Sequence, residues 1–336
     1  MRGEGRAPLP IVPPPFRDER LSSWLERIAD VYLVSLDDLQ VHVGWSRPAL
    51  QLEIDPVQAD MERIAAATST PLERLFAMTF HDATSRYLSL LRPDSREICP
   101  VCSRGMQRPH RLKAWAFAFS FRCDQHCQPL FGFETRGASA LGDEAAARRG
   151  ADILHRWAME ADTAAVPVSS VLSLLLSPSR KASPPAPWEL ARLPPESQQE
   201  RSLLSRPCRR AALSIVVPEF TLAVPIYDQR LPSTIADLPN APWAERYALA
   251  VGVARVLRNP VDAIVRILEV SDEFGRKKMM ALIDRWPAAI RSAVGRAAPY
   301  IRTKGEGGRT APNARFKPRR VRAPSNRDAW RDRTDA

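Results

Sequence analysis

Two cysteine-containing pairs constrain the fold of this chain more than any other feature. Two residues separate Cys99 from Cys102 and Cys123 from His126, and 20 residues lie between the pairs. Three thiolates and one imidazole at this spacing can occupy the corners of a tetrahedron, the geometry that Zn²⁺ prefers. Four protein ligands leave no position open for water or substrate, so we predict a structural zinc ion. Cys127, which follows His126 directly, is an alternative fourth ligand.

The charge of the chain points to a polyanionic partner. It carries 49 Lys and Arg against 38 Asp and Glu, a formal net charge of +11, and its pI is about 9.9. An excess of this size favours nucleic acid as the partner. We therefore expect the protein to bind DNA.

The cysteine usage indicates a reducing compartment. Four of the five cysteines lie between Cys99 and Cys127, and the Pro-rich N-terminus has no apolar region typical of a signal peptide. The most apolar stretch, residues 247–257, is too short to span a bilayer. We expect a cytoplasmic protein with no membrane partner.

Apolar residues recur at helical spacing through most of the chain, for example in residues 19–33, 57–68 and 244–257. We therefore predict a mainly α-helical protein with a small zinc-finger module that contains a β-strand. The expected order is a Pro-rich N-terminal segment (1–18), a helical, helix-turn-helix-like domain (19–92), the zinc-finger module (93–135), a helical segment (140–176), a Pro/Ser-rich linker (177–210), a helical C-terminal domain (211–299) and a disordered basic tail (300–336).

The predicted strand covers residues 114–122. Four aromatic residues alternate there with small residues, which places them on one face of a strand: Trp115, Phe117, Phe119 and Phe121. They could form the core of the zinc-finger module or a platform on which bases stack. Core packing is the favoured interpretation, because a small metal module needs an apolar core.

The helical pair around residues 57–78 has the outline of a helix-turn-helix. Ordinary packing of two helices is the favoured explanation of the pattern. Arg74 is the one cation near the start of the second helix, whereas a helix that reads the major groove presents several Arg, Asn or Gln side chains. Base reading by this helix is therefore not favoured.

Cationic residues surround the zinc ligands and fill the C-terminal tail. A zinc-clamped loop would hold the first group rigidly toward a phosphate backbone, although a solvated loop is an equal alternative. Residues 301–336 contain 11 Lys and Arg against four Asp and Glu and no apolar periodicity, which predicts disorder. The candidate DNA contacts are Arg104, Arg108, Arg111, Lys113 and Arg122 near the zinc ligands, and Arg315, Lys317, Arg319, Arg320 and Arg322 in the tail.

Known catalytic motifs are missing from the sequence. It contains no G-x-x-x-x-G-K-[ST] phosphate loop, no G-x-S-x-G elbow and no H-E-x-x-H helix. Cys208 lies alone among arginines without an evident ligand partner. We therefore predict that the protein is not an enzyme.

Two motifs resemble the TniQ family of bacterial transposition proteins. The run from Pro13 to Ala29 is similar to the Pro-rich opening of that family and its E-(S/R)-L-x-S-W-L-x-R-(L/I)-A pattern. Cys99-Pro100-x-Cys102, Trp115, Cys123-x-x-His126 and Pro129-Leu130 match its zinc finger in order and spacing. The resemblance covers residues 8–135. Two departures are Cys127, where the family usually has Gly, and the lack of a second Cys-x2-Cys finger.

The resemblance implies a non-catalytic accessory role in transposition. Such proteins contact target DNA or a DNA-recognition complex, and recruit an AAA+ ATPase that in turn engages the transposase. A stand-alone zinc-containing DNA-binding regulator of transcription is the alternative that the same basic, helical sequence allows. A zinc enzyme is disfavoured because the expected site is closed.

Overall fold

The described part of the chain is mainly helical, as predicted. The computed structural model describes residues 7–106, 108–130, 141–162, 165–181, 209–224, 229, 231–232 and 234–298. All of them belong to the first of the two units into which the chain divides, Met1–Ala298. No helix in these ranges is long and apolar enough to cross a bilayer.

In the described residues, six helices precede Cys99, the first predicted metal ligand. Their apolar faces pack around α1 (Leu21–Val31), where Leu21, Trp24 and Ile28 are fully buried at the helical spacing seen in the sequence. A capping box between Ser35 and Asp38 begins α2. The helices are α1 (Leu21–Val31), α2 (Leu36–Val43), α3 (Ala49–Ile54), α4 (Gln58–Thr68), α5 (Leu72–Ala77) and α6 (Ser85–Leu88).

The helix-turn-helix interpretation of α4 and α5 stays a prediction. Ser69 ends α4 in the left-handed conformation, with φ of 51°. Arg74, the one cation noted in the second helix, donates to the carbonyl oxygen of Pro15 at 3.1 Å. This contact ties α5 to the Pro-rich segment.

The strand predicted over residues 114–122 is wrong. Lys113–Ala116 forms a 3-10 helix, and the chain beyond it makes isolated bridges, Leu91 to Phe117 and Arg122 to Pro129. Ala116 and Ala118 are as buried as Phe117 between them, so residues 115–119 have no solvent-facing side. A half-exposed strand gives the alternating pattern, but here residues 115–119 are buried on both sides.

The aromatic residues of this segment form core, which confirms the favoured interpretation. Trp115, Phe117, Phe119 and Phe121 are between 1% and 9% exposed. Phe121 lies edge-on to Trp243 and to Tyr247, at ring-centroid distances of 5.7 and 5.2 Å. These rings therefore join the zinc-finger module to the C-terminal helices and are not available to stack on bases.

The rest of the described chain is a helical layer with one two-stranded antiparallel sheet. Helix α7 (Glu144–Met159) crosses α11 (Trp243–Arg258) so closely at Gly150 that a Cβ atom there would lie 1.8 Å from the carbonyl oxygen of Ala250. The elements are α7 (Glu144–Met159), α8 (Val168–Leu176), β1 (Pro178–Lys181), β2 (Arg209–Ala211), α9 (Leu213–Val216), α10 (Pro218–Ala223), a 3-10 helix (Ile235–Asn240), α11 (Trp243–Arg258), α12 (Pro260–Val270), α13 (Glu273–Ile283) and α14 (Ala288–Ala297).

Both ends of the predicted linker 177–210 are ordered as strands, which the Pro-rich composition did not indicate. Ser179 in β1 is fully buried because its backbone packs directly against Gly275 of α13. The rest of the predicted linker, with Cys208, lies outside the described residues. The predicted basic tail lies outside them as well.

Candidate metal centre

The four predicted ligands converge on one point. Their ligand atoms all lie within 4.8 Å of one another, the one such cluster found in the part of the chain that the structure describes. The Sγ atoms of Cys102 and Cys123 are 3.7 Å apart, and His126 Nδ1 is 3.7 Å from Cys99 Sγ and from Cys123 Sγ and 3.1 Å from Cys102 Sγ.

These distances fit a tetrahedral ion of the size of Zn²⁺. Bonds of about 2.3 Å to sulfur and about 2.0 Å to nitrogen place the corners of such a tetrahedron about 3.8 Å (S–S) and about 3.5 Å (S–N) apart. Three of the four measured edges agree with these values to within about 0.2 Å. The cluster therefore fits a closed four-ligand metal site.

The first ligand pair lies on a tight turn. The amide of Ser103 donates to the carbonyl oxygen of Cys99 at 3.0 Å, which closes the turn around Cys102. Gly105 follows with φ of 76°, a conformation that glycine adopts without strain. Cys99 is completely buried and Cys102 is half-buried, so the turn presents both sulfurs toward the second pair.

The second ligand pair lies on a short hairpin. The amide of Cys123 donates to Gln128 O at 2.8 Å, and the amide of Leu130 donates to Phe121 O at 3.0 Å. The amide of Cys127 donates to Cys123 O at 2.8 Å, which closes the turn that carries His126. The hairpin therefore holds the imidazole beside the buried Cys123.

Cys127 lies outside the ligand cluster. It is exposed, and its φ is 53°, in the left-handed region that favours glycine. This conformation gives a physical reason why glycine is usual after the ligand histidine in proteins of the resembled family. Of the two candidates for the fourth ligand, the geometry favours His126.

The neighbouring thiols of Cys99 and Cys102 have pKa values shifted in opposite directions. Burial, together with the hydrogen bonds and charges of Cys123 and Cys99, raises the pKa of Cys102 to about 12. Burial also opposes ionisation of Cys99, but hydrogen bonds from the backbone of Cys102 and Val101 outweigh it, so the pKa of Cys99 is lowered. One thiolate is thus favoured at the expense of its neighbour. A divalent ion would allow all three to be deprotonated together.

A small apolar core surrounds the cluster. Cys99 and Cys123 pack with Leu112, Trp115 and Leu130, all at most 8% exposed. Leu130 is completely buried directly after the second hairpin. A metal ion bound by the cluster would therefore stabilise the same segment as this apolar core.

Most of the cations predicted to contact DNA near the zinc ligands are engaged within the protein. Arg108 pairs with Asp30 at 2.7 Å and Arg111 with Glu26 at 2.6 Å, and both carboxylates belong to α1. These two ion pairs attach the loop between the ligand pairs to the first helix.

The remaining cations of this group differ in exposure. Lys113 donates to Ala77 O at 2.9 Å and lies over the ring of Phe80, and burial lowers the pKa of its ammonium group. Arg122 pairs with Glu144 at the start of α7. Arg104 is exposed. The tail residues Arg315, Lys317, Arg319, Arg320 and Arg322 lie outside the described residues.

A buried arginine that sequence reasoning missed holds the zinc-finger module to the C-terminal helices. Arg246 in α11 is fully buried, lies 3.0 Å from Glu97 two residues before the first ligand, and donates to Ala118 O. Arg92 pairs with the same carboxylate at 2.7 Å. The available signal for Arg246 was its position beside Glu245, directly before the apolar run of residues 247–254 in the same helix.

Residues of the N-terminal motif, Pro13 to Ala29, form hydrogen bonds that hold separate parts of the chain together. Glu19 is buried and accepts hydrogen bonds from the amide of Phe16 and from Ser23 Oγ. Trp24 donates from Nε1 to Pro13 O at 2.7 Å, which fixes the Pro-rich segment. Ser23 Oγ accepts from the amide of Arg111 at 2.9 Å, which fixes the loop between the ligand pairs. The motif thus joins three parts of the chain at the start of α1.

The comparison with known families agrees with this geometry. Residues 10–130 match the model of the TniQ family, so the resemblance inferred from the two motifs is confirmed over about a third of the chain. No curated protein and no solved structure matches the chain. In general terms, the match supports an accessory role associated with transposition.

Proposed function

Starting from the TniQ segment at residues 10–130, we propose that this protein is a non-catalytic accessory protein of DNA transposition. In this role it binds DNA or a DNA-recognition complex and recruits an AAA+ ATPase, which brings the transposase to a selected target. The TniQ match is the observation that carries the proposal. The closed ligand cluster supports it, because four protein ligands leave no position for a substrate.

We propose Zn²⁺ as the resident ion, held by Cys99, Cys102, Cys123 and His126. Three thiolates and one imidazole are soft and borderline ligands, a set that favours zinc over magnesium or calcium. The ion would supply rigidity and no chemistry. It would hold the loop of Arg104 and Arg108 in place beside α1.

The DNA contacts are proposed for the exposed Arg104 and for the basic tail. Residues 301–336 carry 11 Lys and Arg against four Asp and Glu, most of the net charge of the chain. Cations already paired with Asp30, Glu26 and Glu144 would have to exchange a carboxylate for a phosphate, which lowers their net contribution.

Affinity purification of the tagged protein from native cells, followed by mass spectrometry and DNA sequencing, tests the proposal. We expect an AAA+ ATPase and transposon-linked DNA in the eluate. The Cys123→Ser variant is the matched control, because loss of the metal should reduce recovery of the ATPase and of the DNA. An immunoblot checks that the variant is expressed at the same level. Recovery of neither DNA nor an ATPase with the unmodified protein contradicts the proposal. Promoter DNA without any transposition partner would instead identify a transcriptional regulator.

Deletion of residues 301–336 tests the role of the tail in DNA binding. Removal of cations that neutralise phosphates should weaken binding and flatten its dependence on salt concentration. An unchanged salt dependence in a fluorescence-anisotropy titration would assign the contacts elsewhere.

A further inference from the structure

The two-stranded sheet places like charges directly opposite each other. Strand β1 pairs with β2 in antiparallel register, with Arg180 opposite Arg210 and Lys181 opposite Arg209. Like charges in directly opposed positions destabilise a strand pair. Two such cross-strand pairs in one short sheet therefore need an explanation outside strand pairing.

The surrounding helix adds to the positive charge. In β1, β2 and α13 with its capping residue Asp272, seven Lys and Arg stand against two acidic residues. Helix α13 packs on β1 at the contact between Gly275 and Ser179, and its Lys277 and Lys278 are exposed. The positive residues thus lie on the two-stranded sheet and on the helix that packs against it.

Acidic neighbours neutralise only part of this charge. Arg209 pairs with Asp272 at 2.9 Å and lies over the ring of Phe274, with its guanidinium carbon 4.2 Å from the ring centre. Among the described residues, neither Arg180 nor Arg210 forms an ion pair, and the buried Nε of Arg180 has no hydrogen-bond acceptor. Two neighbouring guanidinium groups without a carboxylate partner favour an anion beside them.

We propose that this surface, which we call the β1–β2 ribbon (residues 178–181 and 209–211), binds the phosphate backbone of nucleic acid. Arg180 and Arg210 would each contact a phosphate. The exposed Lys181 at the strand end and Lys277 on the adjoining helix would extend the contact to neighbouring phosphates.

Two observations favour a nucleic acid over a single free phosphate group. The cations are spread along two elements instead of converging on one point, which suits a chain of phosphates. Phe274 beside them is 54% exposed, so an aromatic ring is available at the same surface for contact with bases or sugars.

The ribbon lies outside the segment that matches the TniQ family, so the match does not account for it. The inference deepens the DNA contact of the proposed function by adding a second contact surface to it. The inference also predicts that the sheet is less stable without nucleic acid, because its like charges then repel each other.

The test compares the full-length protein with the Arg180→Gln/Arg210→Gln variant. Affinity for a fluorescent double-stranded DNA of random sequence should fall by about tenfold, and the slope of log K against log salt should decrease by about 2, one unit for each phosphate contact. Thermal stability should be unchanged or higher, because the substitution relieves like-charge repulsion. The matched control is Arg291→Gln/Arg296→Gln, which removes the same charge from the exposed side of α14 and should change both DNA readouts much less.

The outcomes separate this inference from the proposed function. DNA affinity and salt slope that are unchanged, or reduced only as much as in the control, overturn the ribbon as a binding site and leave the accessory role intact. An absence of DNA binding by the unmodified protein overturns both the ribbon and direct DNA contact. Recruitment of the ATPase is then still decided by the affinity purification. Binding of inorganic phosphate without binding of DNA also overturns the proposal.

Discussion

Arg20 and Glu53 form an ion pair in which both side chains are almost completely buried. The Nη2 atom of Arg20 lies 2.7 Å from Oε2 of Glu53, and the exposed fractions of the two side chains are 1% and 0%. Glu53 also accepts from the amide of Ser22 at 2.6 Å, and Arg20 donates to Pro93 O. The pair therefore connects the start of α1 to α3 and to the segment that leads into the first metal ligand.

Breaking this pair should be costly. Arg20→Met leaves a buried carboxylate without its cation, and we expect a loss of about 3–5 kcal/mol in the free energy of unfolding. The double variant Arg20→Met/Glu53→Gln should be more stable than Arg20→Met, because the amide removes the unpaired charge. Urea denaturation followed by circular dichroism measures all variants. The single variant Glu53→Gln completes the set. If the double variant loses as much free energy of unfolding as Arg20→Met and Glu53→Gln together, the two residues are not coupled.

Removal of a metal ligand should release the ion. Cys99→Ser and Cys123→Ser each replace a buried cysteine of the cluster, and the purified variants should contain far less than the one zinc per chain expected of the unmodified protein. Residues 96–130 should then exchange amide hydrogens faster, because ligation and folding of this segment are linked. Elemental analysis and hydrogen exchange provide the measurements. Full zinc content in both variants would refute the ligand assignment.

Cys127→Gly should stabilise the protein. The left-handed conformation at φ of 53° strains any residue with a Cβ atom, and its relief is expected to raise the free energy of unfolding by about 1 kcal/mol. Cys127→Ala keeps the Cβ atom and serves as the matched control, with no gain in stability. Both variants should retain zinc. Loss of the metal from both would identify Cys127 as the fourth ligand in place of His126.

Gly150→Ala should destabilise the crossing of α7 and α11. The added Cβ atom would lie 1.8 Å from Ala250 O, so the helices must separate, at a cost of about 1–3 kcal/mol. Gly252→Ala is the control, because it brings the same gain in helix propensity but meets only the ends of Leu175 and Leu213 at 3.0 Å. Thermal denaturation compares the two. Equal stabilities would contradict the close crossing.

Asp272 should make stability depend on pH in the acid range. Hydrogen bonds from Arg209 and from the amides of Gly275 and Lys181 lower the pKa of Asp272 to about 2. Because the folded-state pKa is depressed, the stabilisation is complete above the unfolded value near 4 and is lost as pH falls through about 2. The difference in stability between the unmodified protein and Asp272→Asn should therefore shrink over this window, as denaturation at several pH values will measure. A constant difference would exclude the carboxylate as its source.

The sequence alone identified the main helices and the four side chains that cluster as a possible metal site. The apolar stripe of α1 recurs within a few residues, and the helical spacing in residues 244–257 corresponds to α11, Trp243–Arg258. The spacing of Cys99, Cys102, Cys123 and His126 likewise determined which side chains converge. Each of these features depends on neighbours within one or two turns of chain, or on a ligand geometry with few alternatives, so local pattern is enough.

Only the tertiary structure decided what surrounds these elements. The alternation around Phe117 and Phe119 predicted one face of a strand. Instead, this stretch is buried in the core and forms an isolated bridge to Leu91. Arg111 pairs with Glu26 and Arg246 with Glu97, which are 85 and 149 residues away in the chain. Arg180 lies opposite Arg210, 30 residues further along the chain. Charge and burial at such positions depend on partners that are remote in the chain. Their roles are therefore set by how the helices pack, which no local spacing encodes.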